Sequence, residues 1–307
     1  MKKFCVSAFI LIFLSPLFSQ KVGLLQGPSA LPASFLMDKT QPDSIDFQIF
    51  PSAQQLLPKL IKGEIDIGFL PPNVAAKAFN ATGKIIALGI TGNGNIYLIT
   101  KDSAVKSLKD LEGKKVACAG MGATPEYISR YLFQKNKIKN VELDFSTPTP
   151  QIPSLLSSGK FDCAIVPEPF ATASSNADSS IKKALNLQEE YKLLEGKDFP
   201  MTLLVVNSSY LKTSESKVKD FIKKYRKSLE KTLKQPEKAG HLAEQAGLGL
   251  KAAVASKAIP DCSFTWKSSS EGKTEILSLL SLFNDFSPEA VGGKLPDDAF
   301  FAGTVIE

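Results

Sequence analysis

Two segments 96 positions apart carry nearly the same message. The first, QLLPKLIKGEIDIGFLPPNVA, starts at Gln55, and the second, QIPSLLSSGKFDCAIVPEPFA, starts at Gln151. Gln55, Leu60, Gly63, Asp66, Pro71 and Ala75 align with Gln151, Leu156, Gly159, Asp162, Pro167 and Ala171. Each segment reads as a short helix, a glycine stop, an aspartate, a four-residue apolar strand and a proline-broken loop. The correspondence continues upstream, where KVGLLQGPSALPASFL from Lys21 resembles KVACAGMGATPEYISRYL from Lys115. IDFQIF from Ile45 then matches VELDFS from Val141 as a second strand. Each half therefore begins β-loop-α-β-α-β, which demands parallel strands with helical crossovers. A period this long is domain-sized, far above the repeats of solenoids.

The duplication predicts an α/β chain of two lobes, each a mainly parallel sheet flanked by helices. IIALGITGNGNIYLITK (Ile85 to Lys101) reads as two strands around a Gly/Asn turn, and MTLLVVN (Met201 to Asn207) as a later strand. The remainder reads as mostly helical. The chain is expected to leave lobe one near Tyr97 and return near Thr202, with two strands as the hinge. That places lobe I at 21–97 plus 203–307 and lobe II at 98–202.

The N-terminus predicts export. Lys2 and Lys3 precede an apolar run from Phe4 to Phe13, Pro16 breaks it, and Ser19 and Gln20 offer a cut site. Residues 1–20 are read as a signal peptide because the run is shorter than the ~20 residues that a spanning helix needs. The location expected is periplasmic or otherwise extracytoplasmic. Of four cysteines, Cys118, Cys163 and Cys262 remain after processing, an odd number without metal-ligand spacing. Cys118 and Cys163 sit in strand-like segments and are expected as reduced core residues. The net charge of +6 falls to about +4 without the two N-terminal lysines, too weak a field to imply nucleic acid. Lysines between 219 and 234 alternate with Val218, Phe221, Ile222, Tyr225, Leu229 and Leu233 at helical spacing, the pattern of a solvated helix face.

Open parallel sheets bind ligands beyond the carboxyl ends of their strands, beside helix N-termini. Two pairs of loops occupy such positions. One pair is Gly27-Pro28-Ser29 in the first half and Gly122-Ala123-Thr124 in the second, where Thr124 is a suitable N-cap and Pro125 a suitable first helical residue. The other is Pro72-Asn73 and the loop holding Glu168, with Asn73 and Glu168 expected to face each other across the cleft. Catalytic constellations are thin. The single histidine, His241, has no ligand-type neighbour, no Walker loop occurs, and GMGATP lacks dinucleotide-loop spacing. No catalytic residue, metal site or cofactor is expected.

GEIDIGFLPPNVAA, SLKDLEGKKVACAGMGATPEYISRYL, VPEPFA and the tail segments AIPDC and VGGKLPDDAFF together resemble the type II periplasmic binding proteins. The resemblance covers the whole mature chain and is strongest to the nitrate, sulfonate, taurine and thiamine-precursor importers. It implies a two-lobed, monomeric binding subunit that closes over a small-molecule ligand and delivers it to an ABC permease and its ATPase. A ligand-sensing protein serving a membrane receptor is the alternative within the same fold. On this resemblance Gly27, Pro28, Ser29, Pro72, Asn73, Gly122, Ala123, Thr124 and Glu168 line the cleft. Pro167 departs from the aromatic that relatives carry there. The group also resembles fungal thiamine-pyrimidine synthases, but their active-site histidine and cysteine cluster have no counterpart in this sequence. Two arginines, Arg130 and Arg226, are too few and badly placed for bidentate recognition of a strong anion. Glu168 adds to this, favouring a neutral or amino-bearing organic ligand over sulfonate or nitrate.

Overall fold

The computed structural model of the protein describes residues 19–38, 40 and 45–303. The expected export segment lies outside them apart from Ser19 and Gln20, and Gln20 already opens the first strand. Among the described residues eleven strands carry the architecture. They are β1 (Gln20–Leu25), β2 (Ile45–Phe50), β3 (Ile67–Leu70), β4 (Ile85–Asn93), β5 (Ile96–Thr100), β6 (Lys115–Cys118), β7 (Glu142–Asp144), β8 (Cys163–Pro167), β9 (Lys182–Asn186), β10 (Pro200–Asn207) and β11 (Phe264–Ser268). Two sheets form, ordered β2-β1-β3-β10-β4-β11 and β7-β6-β8-β5-β9. β1 is parallel to β2 and β3, as β6 is to β7 and β8. β10 lies antiparallel between β3 and β4, and β5 lies antiparallel between β8 and β9. The two orders coincide except for the added edge strand β11. Each half gives one strand to the other: β5 leaves the first repeat for the second sheet, and β10 returns to the first. Neither β9 nor β11 is legible as a strand from the sequence, since both are short and polar (KKALN and FTWKS).

The duplicated residues do the same work twice. The backbone N–H of Lys21, at the start of β1, donates to the Asp66 carboxylate at 2.8 Å, and the N–H of Lys115, at the start of β6, donates to Asp162 at 3.1 Å. Each aspartate sits just before β3 or β8 and so fixes the register of the central parallel pair. Gly63 (φ 74°) and Gly159 (φ 77°) stop the preceding helices in the left-handed region that glycine alone enters without strain. Leu60 and Leu156 are buried beneath the sheets, each contributing roughly 1.5–3 kcal/mol.

The chain changes sheet at Gly94-Asn95 and again just after Phe199. These points lie slightly before the expected Tyr97 and Thr202, because Ile96 and Tyr97 already pair with Pro167 and Val166, and Pro200 already pairs with Asn93. The crossings are tied together. The Gly94 N–H donates to both Phe199 O and Gln188 Oε1 at 2.9 Å. Gln188 Nε2 donates to Asp198 Oδ1 at 2.8 Å. Behind them, helix Lys273–Phe286 spans from the first sheet to helix Thr124–Lys135, where the Phe283 and Tyr127 rings meet at 4.8 Å. Helix Glu215–Lys234 buries Val218, Phe221, Ile222, Tyr225 and Leu229 as its spacing predicts. Leu233 departs from the pattern: it is exposed, and Thr232 is buried in the last turn instead.

Cys118, Cys163 and Cys262 are free and buried. Burial pushes the Cys118 thiol up to about 12, so little thiolate forms near neutral pH. Thiol titration of a chain beginning at Lys21 should therefore find three groups in denaturant and almost none in buffer. A count of one would mean that a bridge had formed.

Candidate functional site

A cavity of about 240 Å³ opens where the strands of both sheets end. The first sheet contributes Leu25 at the end of β1, Leu70 and Pro71 at the end of β3, and Thr91, Gly92 and Asn93 at the end of β4. The second contributes Pro167, Glu168 and Phe170 beyond β8. Asn95 enters from the first crossing, Met201 and Thr202 from the second, Cys262 from the segment before β11, and Phe264 from the start of that strand. The walls are thus mainly apolar, with a few amides and hydroxyls.

The predicted residues divide sharply. Pro28, Ser29 and Glu168 line this cavity together. Gly27 stands one residue back, its N–H donating to Leu248 O at 2.9 Å. The cavity wall uses Pro71, whereas Pro72 and Asn73 lie just behind it as the first residues of helix Pro72–Thr82. Asn73 therefore does not face Glu168 across the cavity. Gly122, Ala123 and Thr124 are outside it altogether. Gly122 is exposed, and its N–H donates to Glu126 Oε2 at 2.7 Å. The N-cap of helix Thr124–Lys135 is Ala123 rather than Thr124, and Pro125 is the second helical residue. Glu126 folds back over the helix end and takes a donor that would otherwise be free for a ligand.

Glu168 is more deeply set than a loop acid. Its side chain is fully buried. Its carboxylate accepts from Thr172 N at 3.1 Å and Thr172 Oγ1 at 3.0 Å, and it pairs with the Lys183 ammonium. Lys183 reaches it from β9 and also contacts Asp261 Oδ2 at 2.6 Å. Asp261 belongs to the segment before β11, so Lys183 links the second sheet to the C-terminal part of the first. The Tyr97 hydroxyl strengthens that link by donating to Asp261 O at 3.0 Å, beneath a Lys183 ammonium 5.0 Å from its ring. Burial raises the Glu168 carboxyl above the ordinary glutamate range, against the pull of Lys183 and Thr172. Burial works against the Lys183 charge as well, but Asp261 and Glu168 outweigh it and raise its pKa. Two carboxylates therefore share one ammonium beside the cavity.

Both arginines lie elsewhere, exposed on helices, with Arg130 bound to Glu126 at 2.8 Å. His241 is exposed on helix Pro236–Gln245. Among the described residues no group of three or more His, Cys, Asp or Glu could hold a metal ion, and no helix is long and apolar enough to cross a membrane. Sequence reading misses Asn93, Asn95, Lys183, Asp261 and Cys262. AIPDC carries the last pair as a family-like segment, and GNGN reads as an ordinary turn. Nothing local distinguishes Lys183 from other strand lysines.

The model of the family described as NMT1/THI5 like matches residues 45–239, more than half of the chain. No curated protein matches. An ABC transporter from Parabacteroides distasonis shares 26% identity over 94% of this chain and 99% of its own, with a TM-score of 0.82. The periplasmic aliphatic sulphonate binding protein SsuA from Escherichia coli is 18% identical, covering 91% and 90%, with a TM-score of 0.72. The alkanesulfonate-binding protein SsuA from Xanthomonas axonopodis pv. citri, solved with MOPS bound, is 17% identical over 92% and 96%, with a TM-score of 0.62. The two-sheet architecture is that of the periplasmic binding proteins. By its sequence, the chain belongs to the NMT1/THI5-like family.

Proposed function

We propose that the protein is the extracytoplasmic solute-binding subunit of an ABC importer, holding a small organic molecule between two lobes and passing it to a permease. The observation that carries this reading is the cavity itself. It lies beyond the strand ends, draws its walls from both sheets, and is crossed by the two hinge segments. Residues 21–97 plus 203–307 and 98–202 are proposed as the lobes, adjusted at the crossings noted above. Within the cavity, Pro28, Ser29 and Glu168 are retained as wall residues. The Parabacteroides protein, described as an ABC transporter and matched over nearly its full length, supports the assignment. A non-catalytic role is favoured because the thiol in the cavity, Cys262, is held far above its ordinary pKa by burial, the Glu168 carboxylate beside it is engaged by Lys183, and His241 is elsewhere. Native mass spectrometry of protein purified from its own host should show one small molecule per chain, recovered unchanged after long incubation. Conversion of that molecule, abolished by His241→Ala, would overturn the reading.

A further inference from the structure

The two halves of the molecule meet through two kinds of contact. Outside the cavity wall the contact is apolar: the buried rings of Phe283 and Tyr127 lie 4.8 Å apart. Beside the cavity it is polar, and one stretch of the first half supplies it. Lys257 Nζ donates to Asn176 Oδ1 at 3.2 Å, Lys183 Nζ donates to Asp261 Oδ2 at 2.6 Å, and the Tyr97 hydroxyl donates to Asp261 O at 3.0 Å. The next residue, Cys262, lines the cavity, as do Glu168 and Phe170 from the other half. These contacts separate with unequal ease. Parting the rings would expose apolar surface to water, whereas polar groups at a wet edge exchange one another for hydration at little cost. The Asp261 side chain is 43% exposed, so its carboxylate is already at such an edge.

Lys183 is arranged for that exchange. Its other partner, Glu168, is fully buried on the same half and is held in turn by Thr172. When Asp261 leaves, Lys183 and Glu168 remain as a neutral pair, and the departing carboxylate regains water. Opening therefore strands no buried charge, which would be far more costly. Among the described residues Lys183 is the one cation paired with Asp261, so the attraction acts across the boundary between the halves. We propose that Asp261 is the latch of the closed cavity. It engages Lys183 when the two lobes shut and releases it when they part, while Glu168 keeps Lys183 in place and the Tyr127–Phe283 contact stays packed. Asp261 is a positioning residue: through Cys262 it carries one cavity wall, and through Lys183 and Glu168 it meets the other. The proposal rests on the two-lobe part of the reading above.

The test needs no ligand. The full chain carries Cys5→Ser, with spin labels on Met121→Cys in the second lobe and Lys251→Cys in the first. Both sites are largely exposed, and Cys118, Cys163 and Cys262 are buried away from the reagent. Pulsed electron paramagnetic resonance then reads the distance between the lobes, and two populations are expected. Asp261→Ala should lower the closed-to-open ratio about fivefold, the upper range for a partly exposed ion pair. Raising the salt to ~1 M should shift the protein with Asp261 the same way and leave Asp261→Ala unmoved. Urea unfolding of Asp261→Ala should stay close to wild type, because Glu168 still pairs with Lys183, whereas Lys183→Met strands Glu168. A ratio unchanged by Asp261→Ala, or a stability loss as large as that of Lys183→Met, would overturn the latch. A single distance in every sample would overturn it too, and the binding reading would still stand if native mass spectrometry finds one small molecule per chain. Two distances that respond to Asp261→Ala, with no molecule carried from the host, would uphold the latch and count against the binding reading.

Discussion

Lys183→Met should destabilise the protein by about 3–5 kcal/mol near neutral pH, the usual cost of stripping one partner from a buried ion pair. Glu168 would then sit fully buried with only Thr172 to hydrogen-bond it, and Asp261 would lose its 2.6 Å contact. The effect must depend on pH with a definite sign. The folded-state pKa of Glu168 is already raised above the ordinary 4.5 by burial, and removing Lys183 raises it further. A carboxyl raised in the folded state penalises folding above that pKa, and the penalty fades as pH falls through it. The variant should therefore recover toward wild type as the pH approaches 4.5, while at neutral pH the gap is widest. Glu168→Gln combined with Lys183→Met should restore most of the loss, since no buried uncompensated charge remains and the Asp261 carboxylate is partly open to solvent. Urea unfolding of the three proteins across this range is the measurement. A loss independent of pH, or no recovery in the double variant, would mean that Lys183 acts through packing alone.

Gly94→Ala should cost about 2–4 kcal/mol, combining overpacking with a lost hydrogen bond. A Cβ at this position would fall inside the contact radius of Gln188 Oε1 and of the Phe199 ring. Gln188 can swing aside only by giving up the Gly94 N–H and its bond to Asp198. Phe199 cannot yield easily, because it is fully buried against Tyr191 with ring centroids at 5.2 Å. The consequence reaches function as well as stability. Asn95 and the Glu168 backbone hang on this crossing, so affinity for the molecule that co-purifies from the host should fall at least tenfold. Gly240→Ala is the control: its Cβ would also clash, with Ser256 Oγ and Ala252 O, but on helix Pro236–Gln245 outside the cavity wall, so it should cost stability and leave affinity unchanged. Calorimetry and denaturation on both variants decide the matter. Equal effects on affinity at the two glycines would show that the crossing does not position the site.

The sequence by itself determined the repeated half-domains, the helix stops at Gly63 and Gly159, and the strand ends at Pro71 and Pro167. Each is local: a helix periodicity, a positive φ, a residue without an amide hydrogen. The paired Asp66 and Asp162 were legible as positions, and the structure adds that both carboxylates hold the neighbouring strand in register. Glu168 could be seen because prolines bracket it at a strand end. Its state could not, because Lys183 arrives from a polar edge strand and Asp261 lies 78 positions beyond that lysine. The glycine loop at Gly122 satisfied every local rule for a binding loop, yet Glu126 closes its donor and the loop is not part of the cavity wall. GNGN satisfied every rule for a turn, yet β4 and β5 pair with different sheets and make it a crossing. Tertiary structure decided these points because they depend on which distant strands a segment meets. Backbone preference spans only a few residues, whereas a cavity is made where many such segments are forced to end together.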